Sequence, residues 1–146
     1  MAADQVGQRR RRALVADVLQ RYDIDGVHFD DYFYPYPIKQ AGQPVDFPDT
    51  PSWTKYLARG GKLGRADWRR QNVDDFIQRT YQAIKSEKSW IKFGISPFGI
   101  WRPGFPESVK GFDAYTALYA DSRKWLQQGW LDYFVPQLYW SSTAKE

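Results

Sequence analysis

Apolar positions in this chain switch between two periods, and the switch occurs three times. Leu14, Val15, Val18, Leu19 and Tyr22 recur at helical spacing, and Gly26-Val27-His28-Phe29-Asp30 follows as a short strand. Val73, Phe76, Ile77, Thr80, Tyr81 and Ile84 form a second helical stripe ahead of the strand Ile91 to Ser96. Tyr115, Leu118, Tyr119, Ser122, Trp125 and Leu126 predict a third helix, closed by Gly129 and followed by the strand Leu131 to Val135. Each strand then meets proline and aromatic residues: Pro35 with Tyr34 and Tyr36, Pro97 with Phe98 and Trp101, Pro136 with Tyr139 and Trp140. Helix–strand alternation predicts an α/β fold with parallel strands, because parallel neighbours need a crossover connection. Polar candidates gather after the strands. Closed parallel barrels and doubly wound sheets both place their sites there, so the repeat alone leaves both open.

The first strand carries the sharpest chemistry. Side chains alternate along a strand, so His28 and Asp30 share one face while Val27 and Phe29 take the other. An aspartate ending a core strand gains nothing unless that end opens onto solvent or a site. Aromatics beside a carboxylate suit a sugar-cleaving site, with flat apolar platforms next to an acid or nucleophile. Asp30 and Asp31 are the catalytic candidates, and Tyr34 and Tyr36 are candidate platforms. By alternation the two aspartates cannot both point into one mouth, which leaves Asp31 to cap the loop or bind a hydroxyl. In the competing reading both aspartates only hold the loop through backbone N–H groups.

His28 is the sole histidine, and metal sites want several ligands, so neither a metal nor a cofactor is expected. It reads as a polar residue orienting Asp30 or a sugar hydroxyl. Arg69, Arg70 and Asn72 sit where a long connection turns into the second helix. Arg70 could hold a sugar carboxylate or pair with Asp67, Asp74 or Asp75, whereas Arg69 is expected to be exposed. Trp101, Arg102, Gln137 and Tyr139 fall past the second and third strands, on the expected face of Asp30. They are candidates for stacking on sugars or binding hydroxyls; Trp140 reads as rim filling. Glu107 is the glutamate nearest the second strand's end and a weak candidate for a partner acid.

Residues 38–65 form a long insertion at the carboxyl-end face, rich in proline and glycine, with a short helix expected near Trp53 to Leu57. Loops this long are usually functional or disordered, and a cleft wall is the expectation here.

Composition narrows the classes. The chain has 146 residues and 18% aromatics, enough for a real core and more aromatic surface than core filling needs. No apolar run reaches the ~18 residues of a membrane span, and no signal peptide is read at the start. The absence of cysteine removes disulfides, thiolate sites and cysteine nucleophiles. Net charge is +4, and the run Arg9 to Arg12 reads as the solvated first turn of a helix, so no nucleic-acid partner is expected.

Four stretches in register carry a resemblance: GVHFDDYFYPYP, DWRRQNV from Asp67, SPFGIWRPG from Ser96, and Gly111 to Trp140. Together they closely resemble the family 10 glycosyl-hydrolase-like proteins of bacteria. The resemblance implies a (β/α)8 TIM barrel, of which residues 1–146 would be a central part with about three strand–helix units, since closure takes eight units and ~250 residues. It implies a glycoside hydrolase of the cell envelope, periplasmic or extracellular, acting on a bacterial polysaccharide such as peptidoglycan strands stripped of peptides. A catalytically inactive carbohydrate-binding barrel is the alternative. The resemblance also makes Gly26 to Asp30 the fourth barrel strand, with Asp30 at the nucleophile position. Related hydrolases often carry a glutamate at the end of the fifth strand, where this chain has Ser96-Pro97-Phe98-Gly99.

Overall fold

The computed structural model describes residues 5–139 and 141. Its elements run α1 (Gln5–Arg21), β1 (Gly26–Phe29), β2 (Ile38–Gln40), β3 (Gln43–Val45), α2 (Thr50–Ala58), α3 (Arg65–Glu87), β4 (Lys92–Ile95), α4 (Ala114–Ala117), α5 (Ser122–Gln127) and β5 (Tyr133–Phe134). β1, β4 and β5 form a parallel sheet in that order, with Gly26 opposite Lys92, Phe29 opposite Ile95, and Ile95 opposite Phe134. A further parallel bridge joins Phe98 to Gln137 beyond the strand ends. Each strand therefore lies beside its neighbour in sequence, with helices as the crossovers.

The helices line one face of this sheet. Phe29 stacks on Phe76 of α3 at 5.7 Å and meets Phe93 edge-on at 5.1 Å. α1 and α3 pack together, and α3 meets α5. Leu19, Val73, Ile77, Ile84, Ile91, Phe93, Ile95, Leu118 and Trp125 are fully buried in one cluster. Each such side chain stabilises the fold by ~1.5–3 kcal/mol relative to exposure. Polar ties fix the layers: Asp74 of α3 accepts Trp125 Nε1 and Lys124 Nζ, both at 2.7 Å. Burial raises the Asp74 carboxyl above its usual range despite these donors. Asp132 accepts Phe93 N–H at 2.7 Å and pairs with Lys85 at 2.7 Å. The opposite face, bearing His28, Asp30 and Tyr133, is exposed.

Three sequence expectations need correcting. The third helical stripe is two short helices: Tyr119 takes φ +55°, and Asp121 starts α5 by accepting Lys124 N–H at 3.3 Å. An aspartate capping a new helix competes with continuing the old one. The third strand shrinks to Tyr133–Phe134. Leu14, Tyr22 and Leu126, counted into helical stripes, are exposed. The insertion is also more regular than a loop. β2 and β3 form a hairpin turned by Ala41 at φ +48° and Gly42 at φ +79°, the all-positive pair of a two-residue type I′ turn. The helix expected near Trp53 is α2, with Pro51 in its first turn.

Candidate active site at the carboxyl ends of the strands

Asp30 follows the last residue of β1 and is exposed on the open face. Two donors converge on its Oδ1: Gln137 Nε2 at 2.5 Å and Asp31 N–H at 2.8 Å. Oδ2 takes part in neither bond. Gln137 is itself held, because the same Nε2 reaches Ser96 O at 2.9 Å and its N–H reaches Pro97 O at 2.9 Å. The ends of all three strands thus meet at one carboxylate. Ser96 Oγ turns aside to Val135 O at 2.9 Å.

Asp31 points elsewhere. It is buried, and its Oδ2 accepts the Tyr36 hydroxyl at 2.6 Å. Burial and this carboxylate push the Tyr36 phenol well above its ordinary value, so it stays protonated and donating. His28 shares Asp30's face one strand step back. Its Nδ1 lies 3.0 Å from the Tyr133 hydroxyl, and the two rings stack with centroids 5.6 Å apart. Tyr133 can lie there because its opposite residue is Gly94, where a side chain would collide with the ring.

Tyr34 is buried, packed edge-on against Phe47 and Tyr119 with Arg69 over its ring. Burial first, and Asp49 second, raise its phenol. Arg70 donates to Asp67 at 2.6 Å and to Tyr115 O at 3.2 Å, and stacks on the Tyr115 ring at 4.3 Å. Arg102 lies over the same ring at 5.0 Å. The Trp101 indole donates to Asp121 at 3.0 Å and packs against Phe105 and Tyr115, at the start of α5 and not beside Asp30's contacts. Tyr139 is 87% exposed. Glu107 is exposed in the turn closed by Gly104 N–H to Val109 O. Trp140 lies outside the described residues.

Arg69 overturns the expectation of exposure. It is buried, bonded to both Asp49 oxygens at 2.7 and 2.8 Å and to the Tyr119 hydroxyl at 2.6 Å, and paired with Asp46 at 2.9 Å. Burial opposes its charge, but the bonds it donates to Asp49, Tyr119 and Asp46 more than offset it, so the guanidinium is held firmly protonated. Asp49 likewise sits below the usual carboxylate range: desolvation would raise it, and Arg69 and Arg65 outweigh that. The signal in the sequence was Asp46 and Asp49, the two carboxylates of residues 38–65, shortly before the arginine-rich start of α3.

Tyr34, Tyr36, Arg69 and the hairpin enclose a pocket of about 280 Å³, completed by Phe47, Ala117 and Tyr119. Among the described residues no cluster of three or more carboxylate, histidine or cysteine side chains is arranged to hold a metal.

Residues 8–146 match the family model described as glycosyl hydrolase-like 10. The chain is similar to the glycosyl hydrolase YngK of Bacillus subtilis (strain 168), 46% identical over 132 residues, covering 87% of this chain and 25% of that protein. It is also similar to the glycosyl hydrolase DigH of Escherichia coli (strain K12), 41% identical over 132 residues, covering 88% of this chain and 28% of that protein. It spans about a quarter of the length of these curated relatives.

Proposed function

Because this chain belongs to the glycosyl hydrolase-like 10 family, we propose that it is the site-bearing arc of a (β/α)8-barrel glycoside hydrolase, with Asp30 at the reacting centre. The observation carrying this reading is the Asp30 carboxylate, clamped at Oδ1 by Gln137 and Asp31 N–H while Oδ2 takes neither bond. A nucleophile or charge stabiliser needs that arrangement: fixed orientation at one oxygen, a presented lone pair at the other. Consecutive parallel strands joined by helices fit the barrel, and the family match supports it. In a closed barrel the face bearing His28, Asp30 and Tyr133 would look inward.

Hydrolysis with two carboxylates sets them ~5 Å apart for retention or ~6.5–9.5 Å for inversion. β4 is followed by Ser96-Pro97-Phe98-Gly99, which holds no carboxylate, and on this reading another strand of the barrel supplies the second one. His28 and Tyr133 line the mouth and bind sugar hydroxyls; Tyr139 supplies an exposed ring. The substrate is a bacterial polysaccharide, with peptide-stripped peptidoglycan strands as the first choice, which places the protein in the cell envelope.

The missing glutamate after β4 gives weight to a second reading, a barrel that binds glycan without cleaving it. Mass spectrometry of soluble products separates the two. The complete polypeptide, incubated with peptide-stripped strands, releases short saccharides if the hydrolase reading holds. Retained binding without release at any protein concentration supports the silent barrel.

A further inference from the structure

We infer that the pocket between the post-β1 loop and the β2–β3 hairpin is a subsite for a single uncharged pyranose ring. The inference rests on the glycan reading above and adds where a second sugar sits and of what kind. Its volume, about 280 Å³, lies just under the ~300–1,000 Å³ typical of small-molecule clefts, room for one ring inside its walls. Its walls are aromatic and aliphatic: Tyr34, Tyr36, Phe47 and Tyr119 with Ile38 and Val45. Tyr36 joins the pocket to the reacting centre. Its ring lines the cavity, its hydroxyl bonds Asp31, and Asp31 N–H bonds Asp30.

Charge decides the class of ligand. Arg69 reaches the lining, but its guanidinium is already consumed by Asp49, Asp46 and Tyr119. The Asp46 carboxylate, 62% exposed, is the lining acceptor open to hydroxyls, and its charge is already balanced by Arg69 and Arg65. Apolar ring faces beside a hydroxyl acceptor fit an uncharged pyranose. A lactyl-bearing muramyl residue would bring a carboxylate to a lining whose one cation, Arg69, is already paired with Asp49 and Asp46.

Isothermal titration of the complete polypeptide with N-acetylglucosamine tetramer, a neutral probe, tests this, alongside turnover on glycan strands. Ala117→Phe fills the pocket from α4, and Ile38→Trp narrows it from an exposed hairpin position that tolerates the change. Both variants should weaken tetramer binding by about tenfold at unchanged melting temperature. Unchanged affinity in a folded variant, or no binding by the wild type, overturns the subsite. So does a muramyl-containing fragment whose binding is the more sensitive of the two to Ala117→Phe. Pocket-sensitive binding without glycan release would leave the subsite standing and remove the hydrolase reading.

Discussion

At the scale of single residues, hydrogen-bond donors decide what each carboxylate can do. Asp30 keeps one oxygen outside its two bonds, whereas Asp31 spends itself on Tyr36 inside the protein. Gln137→Ala removes a donor to a charged acceptor, an interaction worth ~1.5–3 kcal/mol. Steady-state kinetics on glycan fragments should show kcat reduced roughly tenfold or more with KM little changed, because Gln137 acts by positioning Asp30. A purely structural Gln137 would lower melting temperature and leave kcat of the folded fraction intact.

Asp49 and Arg69 make a contrasting pair whose consequence is stability. Asp49 in the folded protein lies below its unfolded value of ~3.9. Its contribution is therefore present above that pH and is lost as pH falls through the folded value. Asp74 acts oppositely: its raised folded value means stability declines as pH rises above the unfolded carboxylate value. Asp49→Asn removes the two-oxygen charged partner of a buried guanidinium, leaving Asp46 and Tyr119, and should cost about 3 kcal/mol at neutral pH. Thermal melts between pH 3 and 6 should show a flatter acid limb in Asp49→Asn than in wild type.

At the scale of elements, much of the fold was legible because its signals are local and periodic. Three parallel strands, the helix α3 with its stripe of Val73, Phe76, Ile77, Thr80 and Ile84, and the placing of Gln137 on Asp30's face follow from spacing alone. The split of α4 from α5 was not legible. Tyr119 leaves the helical region to pack on Tyr34 and Arg69, a tertiary demand with no periodic trace. Asp121 accepts both Lys124 N–H and the Trp101 indole, so Asp121→Ala should cost about 1–2 kcal/mol, read as a lower melting temperature. Gly94 shows a second tertiary demand: a Cβ there would fall 2.0 Å from Tyr133 Cζ. Gly94→Ala should destabilise the sheet, and adding Tyr133→Ala should relieve most of that loss in a double-mutant cycle.

At the scale of the whole molecule, the decisive feature is asymmetry between the two faces of the sheet. One face is sealed by α1, α3 and α5, and the other carries polar and aromatic side chains converging on the strand ends. Residue pattern could predict the strands, but not which arginine the insertion's carboxylates would bury, the Arg69–Asp49 pair that seats the insertion on α3. That pair joins residues 20 positions apart across an irregular segment, where no period links them. The insertion so fixed forms one wall of a pocket that Tyr36 also lines.

The central claim is that Asp30 is the reacting carboxylate, and one comparison tests it most directly: glycan release by wild type and by Asp30→Asn, each as the complete polypeptide. Asn keeps the shape and the Oδ1 acceptor while removing the charge. The account predicts that release of soluble fragments falls by at least ~10³-fold while melting temperature and strand binding persist. Release that survives the substitution in a folded, glycan-binding protein would contradict it and move the chemistry to another carboxylate.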